Sequence, residues 1–280
     1  MDCDLACKVN LACGGVFVTD DGWINLDYGA SIAAVQRADL LGRLPLPNDH
    51  VALVYSSHFL EHIPRDQVAG FLTECWRILA PGAVLRLVLP DLENLCRAYL
   101  THRERGEHEK ADFVVLEMID QCVRHESGGE LGRYYRALKS SPVEHAALME
   151  FVRERTGENI LSSPSGGPLK ARGAAIAYLA RGIHRKVERI WTRAVLQLLP
   201  KAFRAQNVSL AAVGERHHWL WDFEQLRAEL ERVGFEAIIR CTASESRFDG
   251  FPFESLDLDA EGRPRKGAES MYVEARKPSL

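Results

Sequence analysis

The 280-residue sequence has few cysteines, no strong net charge and no long uncharged apolar segment at its beginning. Seven cysteines, an odd number scattered along a chain of this length, favour reduced thiols over a disulfide framework. Cys3, Cys7 and Cys13 stand at spacings that match no zinc motif, so no metal is predicted. Lysine and arginine total 35 and aspartate and glutamate 39, a net charge of −4, so no nucleic-acid partner is expected.

The beginning of the chain contains Asp2, Asp4 and Lys8 among apolar side chains. A signal peptide or a membrane span needs a longer uncharged core than this. We therefore expect a cytoplasmic protein. With 46% hydrophobic and 26% charged residues, the composition is that of a globular protein that folds by itself.

Short apolar, β-rich runs alternate with helical periods near the beginning of the chain, which is typical of a parallel sheet covered by helices. The run VALVYS at 51–56 is uninterrupted and of the kind buried on both faces of a sheet. The linker between the first two runs is too short for a crossover helix and predicts a loop. The predicted strands are 8–12, 23–27, a weak run ending at Asp39, 51–56, 83–89, 235–241 and 271–276.

Helical spacing of apolar residues predicts one amphipathic helix after Pro64, a second capped by Asp91 and a third capped by Asp222. Between the second and third helices the strand signal disappears, and the sequence is charged and helical. We therefore predict an α/β fold, a doubly wound and mostly parallel sheet with a helical insertion. The predicted parts are 1–103 and 208–280 for the core and 104–207 for the insertion or lid.

Two features near the first strands outline a nucleoside pocket. The turn Asn10-Leu-Ala-Cys-Gly-Gly15 has small residues that let the backbone approach a ligand, although a simple tight turn looks the same. It lacks the G-x-G-x-x-G spacing of a pyrophosphate-binding loop. Asp27 ends the next strand, 13 residues after Gly14, where a carboxylate accepts both hydroxyl protons of a ribose.

Four stretches of the sequence resemble the class I S-adenosylmethionine (SAM)-dependent methyltransferases, and within them the methyltransferase type-11 group with a shortened first loop. They are NLACGG with GWINLD, ADLLGRLPLPNDHVALVYSSHFLEHIP, ECWRILAPGAVLRLVLPDLENL, and WDFEQLRAELERVGFEAIIR with MYVEARKP, in the family's order. The resemblance implies a Rossmann-like, seven-stranded sheet whose last strand is antiparallel. It also implies SAM as cofactor, bound across the carboxyl ends of the first strands.

The resemblance further implies which residues hold SAM. Asp27 would face the ribose and Asp39 the adenine amino group, while Ser56 and Ser57 would line the donor pocket after the fourth strand. The first turn would face the methionine part of SAM. The family usually has glycine where this chain has Ala12, and a methyl group there narrows the turn. The first-turn residues are Asn10, Ala12, Cys13 and Gly14.

The stretch His58-Phe-Leu-Glu-His62 has a rival interpretation, because H-x-x-E-H is also the signature of one group of zinc metalloproteases. Such a site needs both histidines on one helix face, with Glu61 as general base. Pro64 leaves barely one helical turn for that arrangement, which argues against a zinc hydrolase. In a methyltransferase, His58 and His62 are candidate bases for an acceptor hydroxyl, and a structural role in fastening the loop is the other interpretation.

The motif His217-His-Trp-Leu-Trp221 precedes the third helix. Its aromatic side chains either pack the insertion onto the core or wall the acceptor pocket. The candidate acceptor-binding residues are His58, His218, Trp219 and Arg247, the last in the loop before the final strand.

The segment 172–204 carries eight basic residues and one acid, with apolar residues at three- and four-residue spacing. It predicts a basic amphipathic helix. Such a helix either packs its apolar side on the core with its charges solvated, or makes weak peripheral contact with the inner face of an anionic membrane.

The predicted function is SAM-dependent methylation of a small-molecule or sugar-containing (glycan) acceptor, at oxygen, as is usual for this group. The alternative from another class is a catalytically silent SAM-fold protein that acts as a binding or regulatory partner. Ala12 and the absence of a helix after the first strand favour that alternative. The sequence predicts neither the identity of the acceptor nor the oligomeric state.

Overall fold

A computed structural model describes residues 7–29, 32–161, 191, 195, 198–200 and 214–279. Its centre is a seven-stranded sheet of order β3-β2-β1-β4-β5-β7-β6. The first five strands are parallel, and β7 is antiparallel to both β5 and β6. The predicted fold class is confirmed. The strands are β1 Lys8–Leu11, β2 Trp23–Asp27, β3 Val35–Arg37, β4 Val51–Ser57, β5 Leu79–Pro90, β6 Glu236–Cys241 and β7 Ser270–Arg276.

The predicted helix caps are present. Asp91 accepts the backbone N–H of Glu93 at 3.0 Å, and Asp222 accepts that of Gln225 at 2.8 Å. The side-chain amide of Gln225 donates back to Asp222 at 2.9 Å, so cap and third residue bind each other. The helices are α1 Arg65–Ile78, α2 Leu92–Glu104, α3 His108–Val123, α4 Gly129–Ser140, α5 Ala146–Thr156, α6 Phe223–Val233 and α7 Phe253–Leu256.

The two faces of the sheet are covered differently. Helices α1 and α6 pack on one face, where Phe71 and Leu230 join the main apolar core. On the other face, α7 and neighbouring loops place Phe251 and Leu256 against Tyr55. Residues 51–56 are buried throughout, which confirms that this strand is covered on both sides.

Two strand boundaries differ from the prediction by more than one residue. β5 begins at Leu79 rather than at residue 83, because Leu79 is fully buried and pairs with Val51. The register then shifts, and the Pro81-Gly82 turn, with Gly82 at φ +79°, forms an irregularity within the strand. β3 ends at Arg37, two residues before Asp39.

Helices α3 to α5 lie in the segment predicted as an insertion and form a core of their own with α2, built around Leu95, Phe113 and Val152. Most of the basic helix predicted for 172–204 lies outside the described residues, so that prediction and the domain boundaries stay predictions. Among the residues that the structure describes, no helix is both long and apolar enough to cross a membrane.

A buried ion network stiffens the sheet beneath the site. The fully buried Arg86 of β5 donates to Asp257 at 2.9 Å and to Glu274 of β7 at 2.8 Å, and also to the carbonyl of Thr242 at 3.0 Å. Asp257 in turn accepts the hydroxyl of Tyr55 at 2.7 Å. The network therefore fixes the position of Tyr55, which borders a cavity at the carboxyl ends of β1 and β4.

Candidate functional site

The carboxyl ends of β1, β2 and β4 meet at one edge of the sheet, because these strands are parallel and in register. A cavity of about 210 Å³ opens there. Of the predicted donor-site residues, those of the first turn and the last residue of β4 border the cavity, and so does His58, whereas Asp27, Asp39 and Ser56 do not. The predicted residues that border it are Asn10, Ala12, Cys13, Gly14, Ser57 and His58.

Two buried amides shape the wall beside the first turn. Asn10 on β1 donates to the carbonyl of Val16 at 3.0 Å and to the side chain of Asn25, its partner on β2, at 3.3 Å. Asn25 donates to the carbonyl of Val18 at 2.8 Å. These bonds fold the loop after β1 back over the strand ends. The sequence identified Asn10 but gave Asn25 no role.

The first turn passes through backbone conformations that favour glycine. Ala12 has φ +56° and Gly14 has φ +52°. For a residue with a Cβ atom, the left-handed region costs about 1–2 kcal/mol. The turn therefore explains why glycine is usual at the position of Ala12 in the family it resembles. Next to it, burial raises the pKa of the Cys13 thiol to about 12, so this side chain is a neutral part of the wall.

Asp27 lies against the first turn. Its carboxylate accepts the backbone N–H of Gly14 at 3.0 Å and that of Gly29 at 2.7 Å. A carboxylate has about four lone-pair positions, so positions remain for ribose hydroxyls. Asp39 is exposed, follows β3 on the same edge and accepts the N–H of Leu41 at 3.1 Å. The ribose and adenine roles stay predictions.

Ser56 and Ser57 lie on opposite faces of β4, because successive side chains of a strand alternate. Ser57 borders the cavity, whereas Ser56 is buried on the other face. Ser57 therefore borders the cavity and Ser56 does not, and the donor-pocket role of both residues stays a prediction.

His58 follows β4 with φ +51° and is fixed by its backbone N–H, which donates to Val88 of β5 at 2.7 Å. Its Nε2 lies 2.9 Å from the hydroxyl of Ser270, and its Nδ1 lies 3.4 Å from a carboxylate oxygen of Glu61. Burial lowers the pKa of His58 well below its ordinary value, and the charge of Lys266 lowers it further. The imidazole is neutral at pH 7.

His62 is not brought to the cavity. It ends the short 3₁₀ helix Leu60–His62, and its Nδ1 lies 2.9 Å from the carbonyl of Arg216. His58 precedes that helix, so the two histidines do not share the helix face that an H-x-x-E-H zinc hydrolase requires. His62 contacts the segment before α6, as in the structural interpretation, and its role as a base stays a prediction.

The aromatic motif before α6 packs against the loop after β4. His218 donates its backbone N–H to the carbonyl of Glu61 at 2.7 Å. The indole N–H of Trp219 donates to Gln225 at 2.8 Å, and the guanidinium of Arg65 lies 4.4 Å from the Trp219 ring centroid. Neither His218 nor Trp219 borders the cavity, and both fasten the return of the chain to the core.

Arg247 is also absent from the residues that border the cavity. Its guanidinium lies 3.8 Å from the carboxylate of Glu274 and bonds the carbonyl of Ala237, near the start of β6. The acceptor-binding prediction for Arg247 therefore has no support from its position.

Sequence reasoning missed Arg265 and Lys266, which border the cavity from the loop before β7. The start of β7 pairs with the end of β5, with Ser270 opposite Pro90. Because β7 runs antiparallel to β5, the loop before β7 lies at the sheet edge where β1, β2 and β4 end, which is here called the donor edge. The signal was present as the basic run GRPRKG at 262–267, directly before that strand.

One family of known proteins matches the segment that contains part of the site. Residues 25–87, which include Asp27, β4 and His58, match the family described as Methyltransferase domain. No curated protein matches the chain. The match supports the predicted SAM-dependent methyltransferase and SAM as its cofactor, and the sheet order confirms the predicted fold class.

Several solved structures are similar at low identity. A SAM-dependent methyltransferase from Archaeoglobus fulgidus is 12% identical over 96% of this chain and 85% of its own, with a TM-score of 0.38. A possible histamine N-methyltransferase from Thermotoga maritima is 10% identical over 97% and 81%, with a TM-score of 0.38. A methyltransferase from Mesorhizobium loti is 14% identical over 97% and 90%, with a TM-score of 0.35. Similarity at this level does not extend to the acceptor.

Proposed function

We propose that this SAM-dependent methyltransferase methylates a hydroxyl oxygen of a small-molecule or sugar-containing acceptor. The observation that supports the proposal best is the position of His58. Its neutral imidazole borders the same cavity as the first turn and Ser57, so a proton acceptor stands beside the donor pocket.

The donor edge has the groups that SAM requires. Asp27 offers a carboxylate to the ribose hydroxyls, and Gly14 leaves open space where a side chain would stand. Lys266 brings a cation to the cavity that complements the carboxylate of the methionine part, whereas the Arg265 guanidinium donates to the carbonyls of Leu256 and Leu258. When bound, SAM supplies a methyl group made reactive by its sulfonium.

His58 would hold the proton that the acceptor loses. In the structure the Ser270 hydroxyl donates to the carbonyl of Lys266 at 3.1 Å, so it accepts the Nε2–H of His58 at 2.9 Å. When an acceptor hydroxyl displaces Ser270 and the ring N–H moves to Nδ1, which lies 3.4 Å from Glu61, the Nε2 lone pair becomes free to accept a proton. An acceptor hydroxyl that replaces Ser270 at Nε2 is therefore oriented and deprotonated there as the oxygen–carbon bond forms.

The test is methyl transfer from labelled SAM to a panel of hydroxyl, amine and thiol acceptors, with products located by mass spectrometry. We expect methyl ethers, and His58→Gln should lower turnover while SAM affinity is kept. Products methylated only at nitrogen or sulfur would contradict the choice of oxygen.

A catalytically silent role has one observation in its favour. Ala12 holds a left-handed conformation with a methyl group on the turn that faces the donor. Calorimetric titration with SAM separates the two functions, because a silent protein that has lost the donor site gives no saturable heat, whereas the enzyme binds one equivalent.

Weak membrane association through 172–204 is a separate proposal. Trp191 and Leu198 are 67% and 84% exposed, as an interfacial anchor requires. Sedimentation with anionic and neutral vesicles at low and high salt tests it. Salt-sensitive binding to anionic vesicles alone supports the contact, and equal binding to both or to neither contradicts it.

A further inference from the structure

A second cluster of ligand groups lies beside the cavity but outside it. Glu61 and His62 of the loop after β4 meet His217 of the segment before α6. One potential ligand atom from each of the three lies within 4.8 Å of the others, and the two imidazole rings are 4.7 Å apart between centroids. The backbone fixes the arrangement, because His217 donates its N–H to the carbonyl of Gln121 in α3 at 3.0 Å.

The polar atoms of this cluster lack partners. Glu61 is fully buried and His217 is 5% exposed. Among the described residues, neither carboxylate oxygen of Glu61 and not the Nδ1 of His217 has a hydrogen-bond partner. The Nδ1 of His58 at 3.4 Å and the Nε2 of His62 at 3.9 Å are the nearest side-chain nitrogens to Oε1 of Glu61. Buried polar groups without partners are costly, so an ion that binds all three would remove that cost.

The orientation of His62 matches that of a metal ligand. Its Nδ1 is 2.9 Å from the carbonyl of Arg216, which places the ring N–H there and leaves the Nε2 lone pair towards Glu61. Metal-binding histidines almost always donate their other ring N–H in this way. His58 is not part of the set, because the ligand atoms that lie within 4.8 Å of one another come from Glu61, His62 and His217.

We propose that Glu61, His62 and His217 form a binding site for a divalent transition metal, and that zinc is the metal. Two imidazole nitrogens and one carboxylate are a ligand set that zinc takes, with a fourth position open to water. Ligand atoms in a tetrahedral zinc site stand about 3.3–3.5 Å apart. The three ligand atoms lie within 4.8 Å of one another, so side-chain rotations on binding must bring them to that spacing.

The proton equilibria of the site agree with this assignment. Burial lowers the pKa of His62, and it lowers that of His217 to about 3, so both rings are neutral and ready to bind a metal. Burial raises the pKa of Glu61 to about 8, and a bound cation would return it to the ionised form.

Such a metal would connect three parts of the chain. It would join the loop that carries His58 to the segment 214–221 and, through Gln121, to α3. We therefore expect zinc to raise the temperature of unfolding as well as to bind. This inference is independent of the acceptor and of the proposed oxygen chemistry.

The experiment uses the full chain, with any purification tag removed and metals stripped by a chelator. Zinc is titrated by calorimetry and by competition with a chromophoric chelator, and Tm is measured with and without zinc. We expect one equivalent bound and a higher Tm. Glu61→Gln, which keeps the side-chain shape, and His217→Ala should each weaken zinc binding at least about 10- to 100-fold. His218→Ala, the adjacent histidine outside the set, should bind zinc as the unsubstituted protein does.

The proposal is overturned if the folded protein binds no zinc at one equivalent, or if Glu61→Gln binds as tightly as His218→Ala. Circular dichroism checks each fold. Should His217→Ala fail to fold, the stoichiometry of the unsubstituted protein and the comparison of Glu61→Gln with His218→Ala decide the question. Binding of magnesium with equal affinity would also contradict it, because magnesium prefers oxygen ligands.

Discussion

Asp27 offers the most direct test of the donor site. The carboxylate ends β2 and accepts two backbone N–H groups, from Gly14 at 3.0 Å and from Gly29 at 2.7 Å. Replacing it with alanine removes the anchor of the first turn and the acceptor proposed for the ribose. Asp27→Asn keeps one acceptor oxygen and the side-chain shape, so its affinity for SAM should lie between those of the unsubstituted protein and Asp27→Ala.

The expected losses differ for binding and for stability. Hydrogen bonds to a charged acceptor contribute about 1.5–3 kcal/mol, so Asp27→Ala should weaken SAM binding about 10- to 150-fold. The two N–H contacts are exposed to solvent, which places their joint contribution to the free energy of unfolding at about 1–2 kcal/mol. The variant should therefore stay folded while its affinity falls.

Calorimetric titration with SAM gives the dissociation constant, and urea unfolding gives the stability. Asp21→Ala, which removes an exposed carboxylate from the loop just before β2, is the matched control and should leave SAM binding unchanged. An unchanged dissociation constant in folded Asp27→Ala would refute the placement of the ribose at this carboxylate.

Three further substitutions probe the catalytic group, the first turn and the sheet. His58→Ala should lower kcat about 100- to 10,000-fold with little change in the SAM dissociation constant, and an equal loss in both would indicate a structural role instead. Ala12→Gly should relieve about 1–2 kcal/mol of left-handed strain against about 0.5–1 kcal/mol of added chain entropy, so urea unfolding should show equal or slightly higher stability, and SAM should bind more tightly. Arg86→Met should lower the free energy of unfolding by about 3–5 kcal/mol, because Asp257 and Glu274 lose their buried cation, and a loss below about 1 kcal/mol in urea would contradict that reasoning.

The fold was predictable because local signals and global topology agree. The run at 51–56 is apolar throughout, and caps such as Asp91 and Asp222 stand at the exact starts of their helices. The start of β5 was missed because Pro81-Gly82 has the pattern of a helix stop. Only the pairing of the buried Leu79 with Val51 shows that the strand has already begun.

The site residues at the strand ends could be predicted from the sequence, but those that distant loops bring to the site could not. Gly14 and Ser57 could be predicted as site residues because they lie at the carboxyl ends of β1 and β4. Arg247, by contrast, has a charge and a loop position that suit an acceptor site, but its guanidinium pairs with Glu274 instead of bordering the cavity. Lys266 has the same charge in another loop, and only the antiparallel direction of β7 brings that loop to the cavity.

Glu61 connects the donor edge to the rest of the chain. Its carbonyl accepts the backbone N–H of His218 at 2.7 Å, while its buried carboxylate stands between His58, at the cavity, and His62, outside it. Any change in the charge of that carboxylate, by protonation or by a bound cation, therefore acts on Nδ1 of His58 through 3.4 Å. It follows that zinc, if it binds as proposed, alters methyl transfer through the orientation and basicity of His58, so kcat should respond to the metal more than the SAM dissociation constant does.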